Sequence, residues 1–200
     1  MRSELNSIQW CPGCGWFLIL WAVKKAIDEL GIDKKDLVIV SWIWCSSKVS
    51  QYIDWYWAET LHGRWIPFWI WVKLANPKLK VICLWWDWDW YGIWLGHFLH
   101  ACRKDIDLTY IVFDNENYAL TTGQASPTTP LWAKTKSTPS WNDIRTFDPC
   151  WLAKSAWCWF SKETDSTRFM EMKDMIKDAI THVWFSHLNI KQVCPSWRNW

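Results

Sequence analysis

Three short runs, LVIVS (37–41), KVICL (80–84) and LTYIVF (108–113), are apolar at almost every position and alternate with stretches of helical spacing. That alternation is the strongest constraint on the fold, because a strand buried on both faces needs a sheet with helices above and below it. WFLILWAVKKAIDEL (16–30) predicts a helix closed by Gly31, SKVSQYI (47–53) a short helix, and IPFWIWVKLA (66–75) a helix halted at Asn76-Pro77. A further helix is expected over 91–103, an amphipathic one at FMEMKDMIKDAITHV (169–183), and a last strand at WFSHLNI (184–190). The expected class is α/β, a parallel sheet with helices on both faces, formed by one domain over residues 1–200. Residues 119–146, rich in Thr, Ser, Pro and Lys without periodicity, read as a long loop of the kind that is functional or disordered.

Charge excludes some partners. The 22 basic and 20 acidic residues are well mixed, and no basic stripe offers a footprint for nucleic acid or an anionic membrane. The longest apolar runs, WFLILWAV (16–23) and WIPFWIWV (65–72), fall short of the roughly 18 residues that a membrane span needs. MRSELNSIQW at the N-terminus has no apolar signal region, so a cytoplasmic protein is expected.

Ligands of such sheets bind beyond the carboxyl ends of the strands. Cys45, Asp87, Asn115 and Cys194 all fall just past a strand end, and Cys11 and Cys14 form a C-P-G-C pair. Four thiolates at one sheet edge suit an iron–sulfur cluster or a structural zinc; the alternative is a redox pair with the other thiols packed as small hydrophobes. Cys83, Cys102, Cys150 and Cys158 are read as buried thiols. Asp87 and Asn115, at the ends of neighbouring strands, make two hard ligands for magnesium, unless they only cap helices or turns. His97 and His100, three apart, could chelate a metal or simply pack. His62-Gly63-Arg64 offers an anion contact in a loop, and Lys48 follows Cys45 closely enough to face the same crevice.

The composition holds one anomaly. Tryptophan occurs 23 times and glycine only 7 times, against roughly 14 glycines expected at about 7% usage. CLWWDWDWYGIW (83–94) wedges Asp87 and Asp89 between indoles. Tight turns need glycine, and this chain is short of it.

Read together, WCPGCG (10–15), CSSK (45–48), LHGR (61–64), VKLANP (72–77), HFLHA (97–101), FDNENYALTTGQASPTT (113–129), KTKSTP (134–139) and, more loosely, CPSWRN (194–199) resemble the β subunit of 2-oxoacid:ferredoxin oxidoreductases, thiamine-diphosphate enzymes. The motifs stand in family order and span nearly the whole chain. Where that family has Gly-Gly-Asp-Gly-Asp-Gly, this chain reads WWDWDW; SWIWC (41–45) stands for Ser-Gly-Ile-Gly-Cys, and Trp71-Val72-Lys73 for Gly-Ile-Lys. Trp94, Trp141 and Trp157 also fall at expected glycines, whereas Trp10 is a tryptophan of the family itself. The expectation is that the source reads UGA as glycine and that the translation writes it as tryptophan.

The resemblance implies that Asp87, Asn115 and the backbone oxygen of Asn117 hold magnesium on the cofactor's diphosphate. Trp44, Cys45, His62, Trp86 and Trp88 would line the thiamine diphosphate site, the Trp positions as glycine. Cys11, Cys14, Cys45 and Cys194 would hold a 4Fe-4S cluster, and Lys48, Arg64 and Leu120 would line the pocket for a 2-oxoacid and coenzyme A. The implied reaction is oxidative decarboxylation of pyruvate or 2-oxoglutarate to acyl-CoA and CO2, with electrons passed to ferredoxin. LHGR and KLANP lean toward 2-oxoglutarate or a broad substrate range. No glutamate suited to activate the aminopyrimidine stands in this chain, so an α chain is expected to supply it, with γ and δ chains as further candidates, and the β chain alone should be inactive. Trp16 departs from a position often polar in the family, and the chain ends soon after Cys194 where relatives run on, so either a fragment truncated at the C-terminus or a short variant lacking the tail that docks on its partner is expected. The rival readings are a tryptophan platform for sugars or single strands and a non-catalytic zinc protein.

Overall fold

The computed structural model describes residues 10–41, 45, 47–60 and 65–196. Six strands form one parallel sheet in the order β2-β1-β3-β4-β8-β7: β1 Leu37–Ser41, β2 Tyr56–Glu59, β3 Lys80–Trp86, β4 Thr109–Asp114, β7 Phe160–Asp165 and β8 Ser186–Lys191. A small antiparallel pair, β5 (Asn117–Tyr118) with β6 (Gln124–Ala125), sits in the loop after β4. The helices are α1 Trp16–Leu30, α2 Ser47–Gln51, α3 Trp65–Ala75, α4 Leu95–Lys104, α5 Pro149–Ser155 and α6 Phe169–Thr181. α1 packs against α6, while α4 sits between α3 and α5. All six residues of β4 are buried, so both faces of the sheet centre are covered.

The three apolar runs form the inner strands, as their patterning predicts. α1 covers its predicted span and ends at Gly31 in the left-handed conformation, φ 62°. Five elements escape the sequence pattern, the short strands β5 and β6 among them. β2 carries Trp57 within a four-residue strand. α5 is short, and β7 is an edge strand buried only at Ser161 and Thr164. The helix expected over 91–103 begins at Leu95, because Trp88–Ile93 forms a π-helical turn directly after β3. The long loop is ordered by its own polar side chains: Thr129 Oγ1 donates to the Glu116 carbonyl at 2.6 Å, and Asn142 Nδ2 to the Thr129 carbonyl at 3.0 Å.

Two ion-pair knots tie helices down. On one side Lys73 of α3, 6% exposed, reaches Asp107 at 2.7 Å and the Leu79 carbonyl at 2.8 Å. On the other, Glu29 at the end of α1 accepts from Lys173 at 2.8 Å and Lys177 at 2.7 Å, joining α1 to α6. Those two hydrogen bonds pull the Glu29 carboxyl from its ordinary 4.5 down to about 2. A carboxylate depressed in the folded state stabilises fully above its unfolded value, and that contribution is lost as pH falls toward the folded one. Glu29→Gln is therefore expected to lower stability at neutral pH and to flatten the fall in stability between pH 4.5 and 2. Chemical denaturation across that range measures it; an unchanged acid limb would show that the knot carries no linkage.

Candidate functional site

Parallel pairing aligns Trp86 of β3 with Phe113 of β4, so the next residues, Asp87 and Asp114, leave the sheet side by side, with Asn115 beyond them. All three are buried, at 0%, 2% and 0% exposure. Thr128 folds back from the long loop and stands between the two carboxyls, 2.9 Å from Asp87 Oδ2 and 2.7 Å from Asp114 Oδ1. One hydroxyl carries one proton, so it donates to one carboxylate; the other contact needs a proton on the carboxyl itself. Burial, and then the Asp114 charge, push Asp87 well above the usual carboxylate range, and burial raises Asp114 as well. At least one of the pair is held as the acid.

The remaining oxygens are the informative ones. Asp87 Oδ1 and Asn115 Oδ1 are buried with no hydrogen-bond partner. An unsatisfied buried acceptor is costly, about 1–3 kcal/mol each, and two hard oxygens from adjacent strand ends form half of a cation site. Asn117 Nδ2 donates to the Asn115 carbonyl at 2.8 Å, and Asn115 Nδ2 lies 3.4 Å from Asn117 Oδ1, so the two amides orient each other.

Behind Asp114 a polar chain that the sequence did not reveal runs across the sheet. The Tyr91 hydroxyl donates to Asn189 Oδ1 at 3.0 Å and so accepts from His187 Nε2–H at 3.0 Å; His187 Nδ1 then accepts from the Ser161 hydroxyl at 2.8 Å. Asn189 Nδ2 passes the chain on to Asp114 Oδ2 at 3.2 Å and Glu163 Oε2 at 3.0 Å. Burial pulls the His187 ring down to about 3, which keeps it neutral, so one ring nitrogen donates and the other accepts. Beyond Asp114, a cleft of about 370 Å³ lined by Glu116, Thr128, Cys150, Glu163 and Lys191 opens to solvent.

The four expected cysteines lie in mutual electrostatic range at the same end of the sheet. Cys14 N–H donates to the Cys11 carbonyl at 3.0 Å, closing a turn through Gly13, φ 79°. Trp10 Nε1 donates to the Cys45 carbonyl at 2.8 Å, and Gly15 N–H to the Val193 carbonyl at 3.0 Å, next to Cys194. Gly15 has no substitute here, since a Cβ would stand 2.8 Å from Ser166 Oγ. Burial pushes the Cys14 thiol up to about 12, with Cys194, Cys45 and Cys11 adding to the rise. A coordinated metal reverses that by deprotonating the thiol. Among the described residues no three His, Cys, Asp or Glu side chains converge tightly enough for a single ion; four thiols in looser range suit a cluster, which is larger than one ion.

Other expected residues separate. Lys48 is half-buried on α2, where its charge acts on Cys45. Leu120 is 51% exposed beside Trp86 and Trp88. His97 stacks on Trp94 with ring centroids 5.5 Å apart, and His100 is exposed. Trp44, His62 and Arg64 lie outside the described residues. Cys83, Cys102 and Cys158 are buried and Cys150 half-buried.

The space flanking Asp87 is full. Trp86, Trp88, Tyr118, Ala119, Leu120 and Thr121 enclose a void of only about 10 Å³, at most the room of one water. Trp88 packs on Tyr118 at 4.8 Å, and Trp86 meets Trp16 at 5.4 Å. The polar donors thus fit a cation and a cluster, while the indoles leave no room for an organic cofactor.

Residues 39–190 match the family described as thiamine pyrophosphate enzyme, C-terminal TPP binding domain. The chain is 44% identical over its full length to the 2-oxoacid:ferredoxin oxidoreductase subunit beta of Saccharolobus solfataricus, of which it spans 65%. Over 98% of the chain it is 36% identical to the 2-oxoglutarate synthase subunit KorB of Archaeoglobus fulgidus, of which it spans 73%. It superposes with a TM-score of 0.94 and 34% identity on a 2-oxoglutarate:ferredoxin oxidoreductase from Magnetococcus marinus solved with 2-oxoglutarate, coenzyme A and succinyl-CoA bound, covering 98% of this chain and 67% of that one. The chain therefore spans a little under two thirds of the first of these relatives. No helix among the described residues is long and apolar enough to cross a membrane.

Thr128→Val removes the hydroxyl shared by Asp87 and Asp114. It is expected to cost about 1–3 kcal/mol in urea denaturation, with Thr128→Ser retaining most of it; a neutral Thr128→Val would mean that the carboxyls settle the proton between themselves.

Proposed function

The chain belongs to the thiamine pyrophosphate enzymes, among the β subunits of 2-oxoacid:ferredoxin oxidoreductases, and on that premise we propose that it is the thiamine-diphosphate-binding subunit of such an oxidoreductase. The observation that carries the reading is the pair of orphaned oxygens, Asp87 Oδ1 and Asn115 Oδ1, at neighbouring strand ends. With the backbone oxygen of Asn117 they would hold magnesium, which keeps an octahedral oxygen shell and completes it with phosphate oxygens and water. Cys11, Cys14, Cys45 and Cys194 would hold a 4Fe-4S cluster. Residues 1–200 would form one binding unit.

The reaction class converts a 2-oxoacid and coenzyme A to an acyl-CoA and CO2, with two electrons leaving for ferredoxin. 2-Oxoglutarate is the favoured substrate, since the Archaeoglobus relative is named a 2-oxoglutarate synthase and the Magnetococcus enzyme was solved with 2-oxoglutarate and succinyl-CoA. Within that reaction this chain's residues have defined tasks. Thr128 and the Asn189 chain hold the Asp114 carboxyl, and Thr128 also fixes Asp87 Oδ2, leaving Asp87 Oδ1 aimed away from the network. Lys48, Arg64 and Leu120 would meet the anionic substrate and coenzyme A, and His62, Cys45 and positions 44, 86 and 88 the cofactor. The partners are an α chain, which must bring the missing base, and ferredoxin; γ and δ chains are further candidates. With indoles at 86 and 88 the cofactor's space is closed.

The test is magnesium and cluster loading of the full chain purified with its α partner without oxygen. Cys194→Ser is expected to lower iron and sulfide content and the visible cluster absorbance. Asp87→Asn and Asn115→Ala should leave the cluster spectrum intact and lower magnesium uptake. Unchanged magnesium uptake in both, or zinc in place of iron in the parent protein, would sink the reading.

A further inference from the structure

The clash between intact donors and a filled cradle leads to an inference that rests on the proposed function only in its final step. We infer that the polypeptide made by its source carries glycine at the tryptophan positions other than Trp10, the codons being UGA read as glycine, and that the three indoles of Trp16, Trp86 and Trp88 occupy the cofactor cavity. Three independent physical tests set eight of these tryptophans apart from Trp10: Trp132 and Trp157 by backbone, Trp16, Trp69 and Trp86 by their indole N–H, and Trp21, Trp71 and Trp159 by exposure.

Backbone conformation is the first. α5 ends in a Schellman closure: Cys158 N–H donates to the Ala153 carbonyl at 3.0 Å, and Trp157 N–H to the Lys154 carbonyl at 3.1 Å. The residue between helix end and exit must adopt the left-handed conformation, where a Cβ is strained and glycine is the usual occupant. Trp157 sits there with φ 66°, nearly the value of Gly31, φ 62°, at the end of α1. Trp132 has φ 70° in the long loop and is 71% exposed. Asp105, Glu116 and Thr122 also take positive φ; a bulky side chain there is a backbone outlier, and the two tryptophans, the bulkiest of the five, point to a residue without a side chain.

The indole N–H is the second. A buried tryptophan usually finds a partner for it. Trp10 does, donating to the Cys45 carbonyl at 2.8 Å while its ring packs edge-on against Phe17 and Tyr52. Trp16, Trp69 and Trp86 are buried with Nε1 unpartnered. Exposure is the third. Trp159, Trp71 and Trp21 are 79%, 71% and 64% exposed, although tryptophan is highly buried on average. Of these, Trp10 alone behaves as a tryptophan chosen for its site.

Glycine at 22 of the 23 positions would raise the glycine count from 7 to 29. The effect at the site is local. Trp16 meets Trp86 at 5.4 Å and Phe113 at 4.2 Å, and Trp86 and Trp88 wall the void beside Asp87. Trp16 stands two residues after Cys14, and Trp86 and Trp88 flank Asp87, so glycine at 16, 86 and 88 would clear side-chain volume beside both donor sets. Bare glycine N–H groups at 86 and 88 could then approach a phosphate directly.

The gene's codons give the direct test. UGA at positions 16, 86, 88, 132 and 157 with UGG at 10 is the expected result; UGG at all six overturns the inference. Protein chemistry gives an independent one. In the tryptophan-bearing full chain, Trp157→Gly and Trp132→Gly are expected to raise Tm without any ligand, and a Tm that falls in both overturns the conformational argument. Calorimetric titration with magnesium and thiamine diphosphate then compares the tryptophan chain with one carrying glycine at the 22 positions. Binding by the glycine chain alone is expected, and equal binding by both overturns the assignment of the cavity. UGA codons with a glycine chain that takes up no thiamine diphosphate would leave the recoding standing and overturn the proposed function, so the two failures are distinct.

Discussion

The pairing of β3 with β4 at the centre of the sheet is the constraint on which the site depends. Because the strands are parallel and in register from Ile82↔Thr109 to Trp86↔Phe113, both leave the sheet at the same level, and the residues just past their ends must be neighbours in space. That places Asp87 beside Asp114 and Asn115 without help from any loop. Two buried carboxyls at one level repel, and the protein answers with the Thr128 hydroxyl between them and the Asn189 amide behind one of them. The long loop is therefore a structural part of the site: it supplies Thr128, and its own fold is held by Thr129 and Asn142.

The two donor sets are positioned by different means. The carboxylate end is rigid, set by strand register and a chain of hydrogen bonds through a neutral histidine. The cysteine end is assembled from three segments far apart in sequence, which Trp10 and Gly15 join through backbone carbonyls of Cys45 and Val193. A site that gathers loops in this way gains most from a ligand that cross-links them, since metal binding and local folding are then one equilibrium. Burial holds Cys14 as a thiol until positive charge arrives.

Much of this is legible in the sequence, for physical reasons that differ by element. The inner strands announce themselves because burial on both faces demands unbroken apolar runs, helices α1 and α6 because one face of each is apolar, and α3 because its apolar run is halted at Asn76-Pro77. β7 hides because an edge strand half open to solvent reads FSKETD, a polar segment; α5 hides because seven residues hold too few turns to show a period. Asp87, Asn115, Cys45 and Cys194 are readable from their places after strand ends, and Cys11 and Cys14 from their C-P-G-C spacing. Thr128, Asn189, Tyr91 and His187 are not, because a threonine 41 residues from the carboxylate it touches leaves no local mark. Asp114 stands inside FDNENYALTTGQASPTT, yet by pattern alone it is only the last residue of a strand.

The orphaned oxygens bear on what kind of molecule this is. A chain that had abandoned its ligand would be under pressure to pair or replace Asp87 Oδ1 and Asn115 Oδ1, because each unsatisfied buried acceptor costs about 1–3 kcal/mol, a large share of the roughly 5–15 kcal/mol that holds a domain together. Asp87→Leu or Asn115→Ser would relieve it in one step. Both oxygens are instead held in place by surrounding hydrogen bonds and left bare, alongside four grouped cysteines. Donors kept at such a cost imply a ligand, and a ligand implies space. The indoles at 86 and 88 deny that space, so the donors and the indoles cannot both belong to the working protein. The donors are tied into the fold by Thr128 and Asn117, whereas the indole N–H of Trp86 is tied to nothing. It is the indole at 86, with its neighbour at 88, that gives way.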